Sequence, residues 1–367
     1  MLTLNNVLLS SISRYVNRSA AQSYAARVTI SETQNKAAAW AASGEEIRLF
    51  DALSGLVNGS IVRSLMGEDF YTNHAEELLQ LIHTMEENVG NPWNFLLPTK
   101  WVPHAAGRRL DRARIRMNEI YSERLRAREA LPGDHKTDFD DFFAFTLQDK
   151  TTAPLQHFMS GHNTLLIFAA HTSTVAVIAW VIIDLLRRPE MMQRVLQEVR
   201  APGAAEYPLL QACIKETSRV YIGFKMLRRA QKDVKIPGSE YVIPKGSLVS
   251  ISPYLAHHDP ENFPRPDEWI PERWLDSPTG EGSSELGSAK SVGGAGFMPF
   301  GSGCHRCPGE KLATVMVFRA LVTLLGSWDV EWADEGVPSR TDFENFNFDK
   351  VGSAWLRGDV GVRFKSA

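Results

Sequence analysis

Apolar residues recur at three- and four-residue intervals through Arg48–Leu65 and again through Ala75–Ile82, a spacing that predicts helices with one buried face. The stretch Asn91–Pro103 contains three prolines and reads as a connection. Arg108–Arg128 predicts a long, strongly charged helix with an apolar stripe at Leu110, Ala113, Met117, Tyr121 and Leu125. Its cationic side reads as a solvated face, and Pro132-Gly-Asp closes it. A further helical run leads from Asp138 to Pro154. Thr164–Leu186 is apolar enough to pass for a membrane span. His171, Thr172, Ser173 and Thr174 stand towards its middle and Asp184 near its end, and polar groups at that depth of lipid are costly. A long buried helix with a polar notch is therefore expected, closed by Arg187-Arg188-Pro-Glu, whose positive charge suits a helix carboxyl end.

Met191–Arg200 and Pro208–Val220 continue the helical pattern, and the character then changes. Asp233–Ile236 and Tyr241–Ile243 flank Pro237-Gly-Ser-Glu as a hairpin, and Leu248–Ser252 reads as a strand. Phe263–Trp274, with prolines at 264, 266 and 271, is an irregular connector, and Ser277–Gly296 is a flexible loop by composition. Glu310–Leu325 returns to helix. The expected fold class is mainly α with a minor β part, without repeats or a linker between domains.

Composition narrows the function classes. The 367 residues are 44% hydrophobic and 23% charged, which supports a sizeable core and excludes disorder over most of the chain. Forty basic against 43 acidic side chains leave a net charge of -3, with no general attraction to polyanions, so nucleic acid is not expected as a partner. Three cysteines cannot staple a chain of this length, and a reducing compartment fits them best. Met1–Ala20 has no apolar core behind a basic end, so no secretory signal is expected.

The sharpest chemical signal is the run Phe297-Met-Pro-Phe300-Gly301-Ser-Gly303-Cys304-His305-Arg306-Cys307-Pro308-Gly309-Glu310. Two glycines permit tight backbone turns beside a bulky ligand. Cys307 stands just before a helix, with Pro308 suited to its first turn. Amide donors at a helix start lower a thiol's pKa, and a thiolate held that way is a strong axial ligand for haem iron. On spacing alone, three other readings stand beside haem: a Cys-x-x-Cys dithiol, half of a zinc site, or two inert cysteines.

Phe300-Gly-Ser-Gly-x-His-x-Cys307-x-Gly309 resembles the haem-binding signature of the cytochrome P450 family of haem-thiolate monooxygenases. Companion motifs follow in the right order. Glu216-x-x-Arg219 is similar to the family's Glu-x-x-Arg, and Pro271-Glu-Arg273-Trp to its Pro-Glu-Arg-aromatic segment. The resemblance implies that Glu216, Arg219 and Arg273 form a buried structural charge network, since a buried acid and two cations stay charged only when mutually paired. It also implies haem propionate contacts from Arg228, with Arg229 as the competing choice, and from His305; a bidentate cation suits a carboxylate. Phe300, Gly301 and Gly309 would frame the cofactor.

Phe168-Ala169-Ala170-His171-Thr172-Ser173 falls where the family's central helix crosses the distal haem face. The usual pattern there is Ala-Gly-x-acid-Thr; here Ala169 replaces glycine and His171 the acid. The His-Thr pair, Arg187-Arg-Pro-Glu and Ser252-Pro-Tyr-x-x-His257 resemble the sterol 14α-demethylase-like branch. Imidazole holds and passes protons near neutral pH, so Thr172 and His171 are the expected catalytic pair. The plainer alternative is a buried histidine satisfied by a helix carbonyl.

The family's N-terminal section, with its membrane anchor, first sheet strands and substrate-covering loop, has no counterpart. The expected architecture is an N-terminally truncated P450-like fold in one domain over 1–367, helical over 1–157 and haem-binding over 158–367. The expected cofactor is haem b, with Cys307 on the iron. The expected activity is insertion of one oxygen atom from O2 into an apolar small molecule, sterol-like or a specialised metabolite. The alternatives are an impaired relative that binds haem poorly, or a haem-dependent isomerase. The expected electron donor is an NADPH-dependent P450 reductase, since no nucleotide fingerprint appears. Arg306 and Lys311 are candidates for its docking surface and equally for plain surface charge. The chain is expected to be a monomer, cytoplasmic as given, or on the cytoplasmic side of the endoplasmic reticulum where a longer form carries an anchor.

Overall fold

A computed structural model describes residues 2–91, 93–94, 102–131, 141–203, 206–223, 225–275, 296–336, 341–347 and 353–367. Two helices open the chain, α1 (Leu2–Val16) and α2 (Ser19–Ser43). The second buries small and polar residues, Ala21, Ala25, Thr29, Thr33 and Ala37, so its faces differ too little in hydropathy to give a clear periodicity. A two-residue strand β1 (Ile47–Arg48) leads into α3 (Leu49–Met66), the helix expected over Arg48–Leu65. The carboxylate of Asp359 accepts the Phe50 and Asp51 amides at 2.9 and 3.0 Å, which satisfies two donors at the start of α3 from the far end of the chain.

Helix α4 (Glu68–Val89) extends the Ala75–Ile82 expectation in both directions, and α5 (Ala105–Glu129) matches the charged helix. Most of the expected connector between them, and Pro132-Gly-Asp after α5, lie outside the described residues. The run from Asp138 becomes the short helix α6 (Phe142–Gln148), where the Asp141 side chain accepts the Ala144 amide.

Helix α7 (Gln156–Leu186) is the axis of the molecule and the expected buried helix; 78% of its most apolar window is inside the protein. It packs against α3, α5, α9 (Pro208–Tyr221) and α11 (Glu310–Ser327). Trp180 on α7 is fully buried, stacked on Tyr221 with ring centroids 4.1 Å apart, and donates its indole N–H to Ala354 O at 2.7 Å. Such a large ring goes fully inside because its one polar atom is satisfied. Arg187 and Arg188 close α7 as expected, Arg188 donating to Asp184 O at 3.1 Å, and α8 (Pro189–Val199) follows.

The β part is four small antiparallel sheets among the described residues. Strand β2 (Met226–Arg229) pairs with β5 (Leu248–Ile251), Met226 opposite Ile251 and Arg229 opposite Leu248. The expected hairpin is β3 (Val234–Lys235) with β4 (Val242–Ile243). After α10 (Pro253–His257), the connector ends in a 3-10 turn over Pro271–Trp274. Two further sheets were not expected from the sequence: β6 (Trp328–Trp332), β9 (Gly361–Ser366) and β1 make a three-stranded sheet with β9 in the middle, and β7 (Phe346–Asn347) pairs with β8 (Trp355–Leu356). The strand β1 is too short for a two-residue alternation to register, and its partner stands some three hundred residues away. The glycine- and serine-rich loop Ser277–Gly296 falls almost wholly outside the described residues.

Candidate active site

The loop that carries Cys307 is fixed by its own backbone. Gly301 (φ 75°) and Gly303 (φ 68°) take the left-handed conformation that side-chain-bearing residues avoid. Between them the chain doubles back, so that the Cys307 amide donates to Phe300 O at 2.8 Å. A Cβ on Gly301 would stand 3.3 Å from Met226 Sδ, which places the first residue of β2 against this loop. Helix α11 starts at Glu310, so Pro308 lies in the turn before the helix and not in its first turn, as the sequence had suggested.

The Cys307 thiol also departs from expectation. Its pKa is raised, because burial outweighs the lowering by the Gly309 and Glu310 amides and by Arg306, and because the Glu310 carboxylate pushes the same way. The residue nevertheless keeps an exposed surface. The residues fit a haem: an exposed Cys307, two backbone donors directed at its sulfur, and Gly309 beside it, where a Cβ would come into contact with Sγ at 3.9 Å. A coordinated metal cation deprotonates a thiol outright, so a raised pKa in the free thiol does not oppose ligation. Among the described residues, which do not include the Cys304 side chain, there is no group of three or more metal-ligating side chains.

Behind the loop, the predicted charge network is present. Glu216 receives Arg219 at 3.0 and 2.9 Å, Arg273 Nε at 3.1 Å, Trp274 Nε1 at 2.8 Å and the Ile270 amide at 2.9 Å. All three charged side chains are sealed from solvent. Arg219 donates its remaining hydrogens to the carbonyls of His257, Pro266 and Glu268. Each charged side chain therefore has a partner, one carboxylate being shared by two guanidiniums, and the Arg219 guanidinium ties α9 to the connector.

His257, noted in the sequence only within Ser252-Pro-Tyr-x-x-His257, joins this network to the cysteine loop. Its Nδ1–H donates to Arg219 O at 3.0 Å, and its Nε2 accepts the Met298 amide at 3.0 Å. That pairing needs a neutral ring, and burial pushes the pKa of His257 down to about 4. Arg228 and His305 are both exposed. Arg228 stands two residues from Met226 on β2, hence on the strand face that meets the loop, whereas Arg229 alternates to the other side.

On α7, Phe158 (43% exposed), Leu165 (56%) and Ala169 form an open apolar stripe, and His157 and Gly161 are exposed as well. Ala169 and Thr172 are three residues apart and so neighbours on this face. The Thr172 hydroxyl donates to Glu86 Oε1 at 2.6 Å, and His171 Nδ1 lies 2.8 Å from the same oxygen. Ser54 Oγ stands 2.9 Å from His171 Nε2 and 2.7 Å from His83 Nε2. His171 thus pairs with a carboxylate and a hydroxyl from other helices, and a helix carbonyl, Ser54 O, also stands 3.2 Å from its Nε2. Glu86, Ser54 and His83 were missed in the sequence; the available signal was a polar residue at an inward position of an apolar helix, as Ser54 is between Leu53 and Leu56.

The family model described as Cytochrome P450 matches residues 5–351 of this chain. The chain belongs to that family. It is 43% identical over 366 residues to the cytochrome P450 monooxygenase pynD of Aspergillus niger, covering 98% of this chain and 74% of that protein. It is 42% identical over 369 residues to the cytochrome P450 monooxygenase pytD of Aspergillus terreus, covering 98% and 95%. Similarity to a sterol 14-alpha demethylase of Aspergillus flavus is weaker, 27% over 82% of this chain and 62% of the relative. Among solved structures, the retinoic acid bound cyanobacterial CYP120A1 superposes with a TM-score of 0.80 at 19% identity, over 98% of this chain and 78% of that one, which bears out the fold. This is a P450 monooxygenase with a haem cofactor, a hydrophobic substrate and a redox partner.

Proposed function

We propose that Cys307 would hold the haem iron through its sulfur, that Arg228 and His305 would hold the haem propionates, and that His171 and Thr172 deliver protons for the reaction. The observation that carries this reading is the exposed Cys307 in the glycine-shaped loop. When bound, the haem supplies activation of dioxygen, helped by electron density from the thiolate. This chain's own residues do the rest. The apolar stripe of Phe158, Leu165 and Ala169 receives the substrate and excludes water, and the Thr172 hydroxyl holds a proton at Oγ1 beside that stripe. Glu86 keeps the hydroxyl and the His171 ring oriented towards one shared oxygen.

We further propose an apolar specialised metabolite, not a sterol, as substrate; identities of 43% and 42% to pynD and pytD against 27% to the demethylase support this. The proposed electron donor is an NADPH-dependent P450 reductase, and the protein acts as a monomer. Arg306 as a docking cation is disfavoured, because Glu310 accepts its Nη2 at 2.6 Å and neutralises it locally.

The test is the carbon monoxide difference spectrum of the purified, haem-supplied protein. Wild type and Cys304→Ala should both give a thiolate-type Soret band, and Cys307→Ala should lose it. A retained band in Cys307→Ala would remove the assignment.

A further inference from the structure

One residue in the distal network has no part in the reading above. His83 is half-buried on α4, three residues before Glu86 and therefore on the same helix face. Ser54, fully buried on α3, connects it to His171 through separations of 2.7 and 2.9 Å. From His171 the line continues to Glu86 at 2.8 Å and from Glu86 to Thr172 at 2.6 Å. His171, Glu86 and Thr172 are at most 3% exposed, so His83 is the member of this line with a solvent-facing side. We propose that His83, acting through Ser54, is the solvent-side proton supply for the His171–Glu86–Thr172 group. The inference rests on the reading that His171 and Thr172 deliver protons.

The geometry suits proton transfer because the line is satisfied in two directions. With His171 neutral and protonated at Nδ1, Nδ1–H donates to Glu86, Nε2 accepts the Ser54 hydroxyl, and Ser54 Oγ accepts from His83 Nε2–H. With His171 protonated at both nitrogens, Nε2–H donates to Ser54 Oγ, with Ser54 O as a second acceptor at 3.2 Å, and the Ser54 hydroxyl turns to donate to His83 Nε2. No hydrogen bond is lost between the two states, which is what a relay needs and a purely structural contact does not.

One cycle moves one proton. His83, first protonated by water at its other ring nitrogen, gives its Nε2 proton to Ser54 Oγ while Ser54 gives its own to His171 Nε2. His171 passes its Nδ1 proton to Glu86 Oε1, and Glu86 restores the proton that Thr172 Oγ1 gives up to the oxygen being reduced in the reaction. The proton taken up from water replaces the one that His83 gives, and rotation of the hydroxyl and rings restores the start. Every group gains one proton and loses one, and no oxidant or reductant is consumed. His83 and Ser54 are positioning residues in this scheme, since they act through His171.

The test compares wild type, His83→Gln, Ser54→Ala, Ser54→Thr and Thr172→Val as haem-loaded proteins with a supplied NADPH-dependent reductase. The readout is the ratio of hydrogen peroxide to water formed per NADPH oxidised, which needs no identified substrate. Gln can still hydrogen-bond to Ser54 but exchanges no proton near neutral pH, so a structural role would survive it. His83→Gln and Ser54→Ala should raise the ratio about tenfold, below the roughly hundredfold or more expected when a proton-transfer group at the reacting atoms is lost. Ser54→Thr keeps a hydroxyl and should restore most of the wild-type ratio.

A second readout is independent of turnover. In the carbon monoxide complex of the reduced protein, labelled with nitrogen-15 histidine, protonation of His83 should move the ring resonances of His171. Ser54→Ala should abolish that coupling and Ser54→Thr restore it. A wild-type ratio and an undisturbed His171 resonance in His83→Gln would overturn the inference while Thr172→Val still shifted the ratio. No effect of Thr172→Val would instead overturn the reading beneath it.

Discussion

The two sides of the proposed haem cleft each rest on a buried polar network, and the networks are built to opposite ends. Behind Cys307, Glu216 meets two guanidiniums, an indole and an amide, while Arg219 also takes three carbonyls. Those donors have one direction each, so the arrangement has a single satisfied state and acts as a brace. On the α7 side, hydroxyls and imidazoles link Thr172, Glu86, His171, Ser54 and His83, and such groups both give and accept. The choice of arginine for one side and of histidine, serine and threonine for the other separates rigidity from proton mobility. A substitution behind Cys307 should therefore cost stability and haem retention. One on the relay should change how protons are delivered, with stability shifting less.

The largest expected effect tests the brace. Glu216→Gln leaves Arg219 and Arg273 buried without a counter-charge, and breaking a buried pair from one side costs about 3–5 kcal/mol. Urea unfolding should show that loss. The Ser54→Ala protein should stay within about 2 kcal/mol of wild type, the usual range for one lost buried hydrogen bond. Equal losses in the two variants would erase the proposed division of labour.

The same division explains what could be read from the sequence. Glu216, Arg219, Arg273, Cys307, His171 and Thr172 stand in short local patterns, so they could be singled out as candidates from spacing and resemblance. The helices α3, α5, α7, α8, α9 and α11 were visible because each carries a sustained apolar stripe or run. Glu86, Ser54 and His83 were not visible, because they meet His171 across separations of 85 and 117 residues that only packing brings together. His257 was visible as a motif member but not as a bridge, since its partners are a carbonyl and an amide, which carry no side-chain signature. The direction of the Cys307 pKa was misjudged for a related reason: the helix-start donors can be inferred locally, while the burial that outweighs them is a property of the whole fold.

The next effect in size concerns the bridge between brace and loop. His257→Ala leaves the buried Arg219 carbonyl and the half-buried Met298 amide without their partner, and a buried polar group costs about 1–3 kcal/mol when unsatisfied. A net loss of about 2 kcal/mol is expected, together with faster haem release to an apo-globin acceptor, since Met298 begins the loop that ends at Cys307. Unchanged haem release would show that the loop holds its shape through the glycines alone.

The smallest effect is a pH signature. Burial holds the folded pKa of His257 and of His162 at about 4, against 6.5 for the ordinary side chain. Between those values the unfolded chain binds more protons than the folded one, so stability falls as pH drops through the window. From pH 7 to pH 5 each histidine should contribute a loss of about 2 kcal/mol. Asp184 opposes them: burial raises its pKa to about 6 from 3.8 despite Arg188 and Tyr221, so the folded chain takes up its proton first and gains stability on acidification. That gain is about 1 kcal/mol over the same interval. Asp184→Asn should therefore deepen the acid loss by about 1 kcal/mol, read as the difference between urea unfolding free energies at pH 7 and pH 5, whereas His257→Gln should make it shallower. If Asp184→Asn instead left the pH dependence unchanged, the buried carboxylate would have to be charged throughout this range, held so by Arg188 at 2.9 Å.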